Sequence, residues 1–306
     1  MDVFVSIVLS VCAAATPLLL AALGELVVER SGVLNLGVEG MMIMGAVAAF
    51  GAAQLTGNPW AGVVAALIVG ALFSLLFGFL TLTLATNQVA TGLALTILGL
   101  GLSGMLGVGF VGMPGIRLAA FDIPLLTDIP VIGPLMFGQD PLFYISIALT
   151  VGVAWFLFRT RAGLRLRAVG DNHGSAHALG IGVIRVRYLA VLFGGACAGL
   201  AGAHLSLVYV PQWGEGMTAG RGWIALALVV FASWRPLRVL AGAYLFGAVT
   251  IAQFHVQALG IAIPAQFLVS LPYIATIIVL VLIASNRRLT MVNTPASLGL
   301  PFVADR

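Results

Sequence analysis

The stretch "WAGVVAALIVGALFSLLFGFLTLTLA", Trp60 to Ala85, holds no ionisable side chain and is longer than the roughly 20 residues an α-helix needs to cross a bilayer. It lies inside a longer run, Gly40 to Ile116, that has no charged residue at all and gives room for about three spans. A soluble core needs nothing of that length. Over the whole chain 61% of residues are hydrophobic, only 8% are charged, and the mean hydropathy is +1.14, which places the protein among polytopic membrane proteins. The 38 glycines suit helices packed through small residues, whereas a membrane barrel would alternate in polarity over segments of about ten residues. The sequence therefore predicts an all-α transmembrane bundle.

Apolar runs mark nine candidate spans, at 3–23, 33–55, 60–85, 89–110, 141–158, 188–210, 217–234, 238–258 and 267–285. Every basic residue is an arginine, and the arginines alternate between loops. One set of connections holds Arg30, Arg159, Arg161, Arg165, Arg167, Arg185, Arg187, Arg235, Arg238, Arg287, Arg288 and Arg306; the other holds only Arg117 and Arg221. Twelve against two is a positive-inside signal: it predicts the first set in the cytoplasm, the N-terminus outside and the C-terminus inside. That distribution, rather than an anionic partner such as nucleic acid, accounts for the net charge of +4. The run 217–234 is the irregular one, since Arg221 interrupts it and its apolar core, Trp223 to Ser233, is about half a bilayer long. Residues 1–290 read as one membrane domain, with an outer loop at 111–140, a cytoplasmic loop at 159–187, and a short tail at 291–306.

Several polar groups interrupt this background. In "SGVLNLGVEGMMIMGAVAAF", Ser31 to Phe50, Asn35 and Glu39 stand four residues apart, on one face of a helix, and a carboxylate at membrane depth costs about 2.5–3.5 kcal/mol. Glycines at 32, 37, 40 and 45 permit unwound backbone there. Two readings stay open: a glutamate satisfied by a neighbouring helix, or a polar lining of a permeation path or its gate. "TNQVATG", Thr86 to Gly92, reads as a tight turn at Asn87 and Gln88, or as the cap of a helix that begins inside the membrane. Trp213 and Trp223 read as interface anchors and Glu215 with Arg221 as a pair. Gln253 and Gln257 share a helical face and suit either an interhelical hydrogen bond or a polar substrate. His204 and His255 lack companions at metal-ligand spacing, and Cys12 and Cys197 lie in apolar runs, so neither a metal site nor a disulfide is expected. The small residues of "GGACAGLAGAHLSL", from Gly194, make a surface for close helix contact. In the long inner loop, "RTRAGLRLRAVGDNHGSAHALGIGVIRVR", arginines flank a glycine-punctuated centre with a turn or two of helix, which suits a docking element for a cytoplasmic protein.

Three segments, "ERSGVLNLGVEGMMIMGA", "TNQVATGLALTILGLGLSG" and "RAVGDNHGSAHALGIGVIRVR", resemble the signature segments of permease subunits of bacterial ABC importers. The branch is the simple-sugar and branched-chain amino acid type, and the chain is most similar to members that handle nucleosides; the resemblance runs from about residue 20 to residue 285. It implies a substrate route between two permease subunits in the bacterial cytoplasmic membrane. That route would be opened by ATPase subunits acting on the inner loop and fed by an extracytoplasmic substrate-binding protein that lands on the outer loop. The second permease would be a related paralogue or another copy of this chain. Asn35, Leu36, Gly37, Glu39 and Gly40 match the N-L-G-x-E-G element, and Asn87 and Gln88 the N-Q element. With Gln253 these polar residues are the candidates for the pathway or gate.

Gly170, Asn172, Gly180 and Ile181 match the inner-loop pattern and, with Arg165, Arg167 and Asp171, are the candidates for ATPase coupling. His173 stands where proline is usual in that pattern, and Ser175 and His177 also depart from it. The chain has no lysine and so no phosphate-binding G-x-x-x-x-G-K-[ST] loop, and no catalytic residues are expected; ATP and Mg would belong to the partner ATPase. A reading from another class is an ion-coupled carrier with Glu39 as its coupling carboxylate.

Overall fold

A computed structural model describes residues 2–121, 132–258 and 293–303, with isolated positions between those ranges at 127, 129, 267, 270, 271, 274, 275, 277, 278 and 281. The predicted span 267–285, much of the outer loop and the arginines at 287, 288 and 306 thus lie wholly or largely outside the described residues. The named elements are all helices: α1 (Asp2–Arg30), α2 (Val38–Thr56), α3 (Pro59–Gly78), α4 (Gln88–Gly107), α5 (Ile132–Phe137), α6 (Pro141–Arg159), α7 (Arg161–Asp171), α8 (His173–Ala178), α9 (Val183–His204), α10 (Arg221–Phe231) and α11 (Pro236–Ala258). Wider π turns extend α3 over Phe79–Thr83 and α9 over Leu205–Tyr209. Among the described residues seven helices are long and apolar enough to cross a membrane, and α10 is a shorter apolar one.

Local chemistry sets the boundaries. The side chains of Asn58, Asn87, Asp140, Thr160 and Asn172 each accept a backbone N–H at the start of α3, α4, α6, α7 and α8. Proline occupies the first position of α3 and α6, where its missing N–H costs nothing. Gly57, at φ +69°, closes α2 in the left-handed conformation.

Helices α2 and α9 form the buried centre, and α1 and α3 pack against them. Small residues bring the axes together. A Cβ added to Gly45 would lie 2.6 Å from Gly199 Cα, and one added to Gly24 would lie 2.6 Å from Cys197 Cβ. Gly195 abuts Ser74 and Gly70, Gly199 abuts Ala66, and Gly202 abuts Met42. Without a hydrophobic drive between helices in lipid, such backbone-to-backbone packing carries their association.

Several boundaries differ from the sequence reading, among them the start of α9, at Val183 rather than 188. Residues 31–37 are not helical, so α2 starts at Val38 rather than near 33. The first helix runs on through Glu25 and Glu29 to Arg30 instead of stopping near 23, because partners inside the bundle meet both carboxylates. The run 217–234 divides into an irregular segment and α10, whose 11 residues are about 16 Å long, roughly half the hydrocarbon thickness.

Candidate functional site

The carboxylate of Glu39 is 3% exposed and accepts three hydrogen bonds from the segment that opens α10: from Thr218 Oγ1 at 2.6 Å, Gly220 N at 2.8 Å and Gly222 N at 2.6 Å. Glu39 itself stands in the first turn of α2. Two helix N-termini therefore converge on one carboxylate, and their unpaired N–H groups and dipoles favour negative charge there. Gly222 is required by the approach, since a Cβ would lie 2.6 Å from both Glu39 Cα and Glu39 N. At the other end of α10 the carbonyl of Trp234 accepts from Arg30, while Trp234 Nε1 donates to Glu29 Oε2 at 2.6 Å. The length of α10, about 16 Å, thus separates Glu39 from Arg30.

The coil 31–37 connects these levels. Asn35 N donates to Glu25 Oε1 at 3.1 Å, and Asn35 Oδ1 accepts from Gly37 N at 3.0 Å. Leu34 N donates to Gln88 Oε1 at 2.8 Å, and Thr96 Oγ1 donates to Leu36 O at 3.0 Å. Gly92 and Gly99 let α4 lie against the coil and Gly40. The backbone of a non-helical segment inside a membrane bundle must be satisfied by the protein, and these bonds do that. Glu25 Oε2 and Gln88 Nε2 are buried with no hydrogen-bond partner among the described residues.

At the arginine-rich end a buried junction gathers Arg30, Gly32, Gly170 and Arg187. Arg187 is 1% exposed, with Nε donating to Ser31 O at 3.2 Å and Nη2 to His173 Nδ1 at 3.1 Å. Arginine has no acceptor, so His173 Nδ1 carries a lone pair and the ring is neutral in this contact. Gly32, at φ +87°, leaves room for the guanidinium, and Gly170 sits directly on the carbonyl of Arg30. Both guanidinium groups are buried and donate to backbone carbonyls.

Residues 7–286 match the family described as the permease component of the branched-chain amino acid transport system. The chain belongs to this permease family. A protein of Haloferax volcanii that bears the name of a glucose ABC transporter permease, TsgC13, is 47% identical over 82% of this chain and 77% of its own length. The nucleoside ABC transporter permease NupC of Lactococcus lactis is 35% identical over 87% and 88%, and the guanosine ABC transporter permease NupQ of Bacillus subtilis is 33% identical over 94% and 93%. No solved structure matches the chain. The protein is a multi-pass permease of the ABC importer type.

Of the candidate pathway residues in this permease, Asn35, Glu39 and Gln88 meet along one coil, while Asn87 caps α4 on its exposed side. Gln253 is buried on α11, six residues beyond the contact of Gly247 with Val11 and Ala15, and so lies toward the far end of α1. Among the coupling candidates, Gly170 joins the buried junction, Asp171 ends α7 and Asn172 caps α8. Gly180, at φ +81°, and Ile181 return their N–H groups to His177 O and Ala176 O and close α8. Arg167 lies over the Phe158 ring, and Arg165 lines an otherwise apolar cavity of about 770 Å³ between α1, α6, α7 and α9.

The structure also brings out groups the motifs did not reveal. Glu25 and Glu29, four apart in "GELVVER", had a readable signal in their spacing, but the apolar run before them set the span too short. His204 Nε2 faces Asp140 Oδ2 at 3.4 Å across 64 residues, a pairing no local pattern shows. Burial pushes the Asp140 carboxyl up, but the nearby His204 ring, with backbone N–H groups of Phe143 and Leu142, outweighs it and holds the group below the ordinary carboxylate range. Trp213 is buried against Gly107 rather than anchored at an interface, whereas Trp223 is half exposed. Arg221 donates to Met217 O and Thr218 O and stacks on Tyr209.

Proposed function

We propose that this permease forms one half of a nucleoside pathway in a bacterial cytoplasmic membrane, switched between outward and inward access when ATPase subunits act on the 159–187 loop. The observation that carries the mechanical part is the Glu39 node. It ties the start of half-helix α10 to the start of α2, and the chain between Glu39 and Arg30 leads to the junction that supports α7 and α8. A displacement of the loop is transmitted along the 31–37 coil to the start of α10. Asn35, Glu39 and Gln88 are then gate-positioning groups. The orientation follows from the arginines, and nine crossings require 267–285 to be the last.

The nucleoside assignment is supported by the motif resemblance and by NupC and NupQ, each matched along 87% or more of this chain. A second reading, a simple sugar, is favoured by the 47% identity to TsgC13. Uptake of labelled guanosine, uridine and glucose in a strain lacking this chain, with and without its restoration, decides between them. Restored nucleoside uptake that excess glucose does not compete supports the first reading; restored glucose uptake alone replaces it with the second.

A further inference from the structure

The segment Asn293–Val303 lies across the arginine-rich end of the bundle. Its two buried arginine partners hold it at both ends: Arg30 Nη1 donates to Asn293 O at 3.0 Å and Arg187 Nη1 to Leu300 O at 3.1 Å. Between them Ser297 N donates to Gly170 O at 2.8 Å and Gly299 N to Gly32 O at 3.1 Å, while His173 N approaches Ser297 Oγ at 3.4 Å. Phe302 then packs against α8, its ring centroid 5.2 Å from that of His173 and 5.3 Å from that of His177. The small cluster of Val169, Ala176 and Val183, with Ile181, completes its seat.

His173 and His177 both face Phe302. A guanidinium buried as deeply as that of Arg187 needs acceptors for its N–H groups, and one of them is a carbonyl of this segment. The helices that pack most against α8 among the described residues are its sequence neighbours α7 and α9.

We propose that residues 293–303 are a tether that sets the position of α8 and carries its displacement to the Gly32–Arg187 junction and on to the 31–40 coil, with Phe302 as a positioning residue. The inference rests on the reading that the ATPase acts on α8, and it adds a route that the loop alone does not provide. The tether grips α8 through Phe302 and holds the coil through Ser297, Gly299 and Leu300, so that α8 and the coil move as one body.

Two measurements test it, on Phe302→Ala and on the conservative Phe302→Trp. In the full-length permease in nanodiscs, hydrogen exchange of amides 174–181 should accelerate about tenfold in Phe302→Ala and return toward the wild-type rate in Phe302→Trp. Unchanged exchange in Phe302→Ala overturns the tether. In proteoliposomes holding the assembled transporter, Phe302→Ala should retain its ATPase subunit and basal ATP hydrolysis but move several-fold less substrate per ATP, with Phe302→Trp near the wild-type ratio. A wild-type ratio in Phe302→Ala overturns the transmission role. Failure of the ATPase to co-purify with the wild-type permease would instead overturn the coupling reading, and the transmission role with it, while the exchange data still decide whether the tether exists.

Discussion

At the scale of single residues, Glu39 shows how a membrane-embedded carboxylate can be held without a cation. Its three donors are a hydroxyl and two backbone N–H groups at helix starts. Replacing it with glutamine keeps the shape but turns an amide NH₂ toward N–H groups, leaving a buried donor unsatisfied. That costs about 1–3 kcal/mol, so Glu39→Gln should lower the unfolding stability by about that amount and reduce transport. Thermal unfolding in detergent and an uptake assay check both; unchanged values in both would remove the charge from the account. His173 offers a pH test. Burial, and then the nearby Arg187 charge, lower its basicity below the ordinary value of about 6.5. A histidine lowered on folding contributes stability that is fully present above the unfolded value and is lost as pH falls below it. Exchange protection of residues 173–181 should therefore fall between pH 7.5 and 5.5, and that fall should vanish in His173→Gln. Asn35 and Glu39 were legible as anomalies from their residue types alone, but their partners were not, because Glu39 is bound to residues 179 to 183 positions away.

At the scale of elements, the long helices were readable because lipid demands apolar length, and most of the predicted runs recur within a few residues. The misjudged ends share one cause. Hydropathy ends a helix at a charge, yet α1 continues through Glu25 and Glu29, whose partners Asn35 and Trp234 come from elsewhere in the chain. It also extends a helix through any apolar run, so the coil 31–37 was absorbed into α2. The amphipathic α7 had been read as loop because its arginines outweighed its buried Gly163, Leu166 and Val169. The packing surface of α9 was legible from small-residue spacing, and it supports a direct prediction. Gly199→Leu puts a branched side chain against Ala66 O and the backbone of Gly70, with no flexible group to give way. We expect it to abolish the folded yield after membrane extraction, read by size-exclusion chromatography, whereas Leu98→Ala on the exposed face of α4 should leave it near wild type.

At the scale of the whole molecule, the chain is a scaffold in which two buried polar levels, one at Glu39 and one at Arg30 and Arg187, are joined by the 31–37 coil. The arginine count supplied an orientation for this arrangement but gave no hint that two of the arginines are buried. Tail residues 293–303 looked featureless for the same reason: the bonds that hold them use main-chain groups, which composition does not record. The coupling reading makes a prediction at this scale. Arg165→Glu combined with Arg167→Glu should weaken co-purification of the ATPase while leaving membrane insertion intact, and undiminished co-purification would remove α7 from the docking surface.

The glycine contacts among α2, α3 and α9 have a consequence for how such a protein tolerates change. A span stays apolar when one of its glycines becomes alanine or leucine, so a reader of polarity alone would judge these positions free to drift. Each instead admits nothing heavier than a hydrogen where main chain meets main chain, so a library of random substitutions should find its sharpest intolerance in the least chemically distinctive residues of the protein.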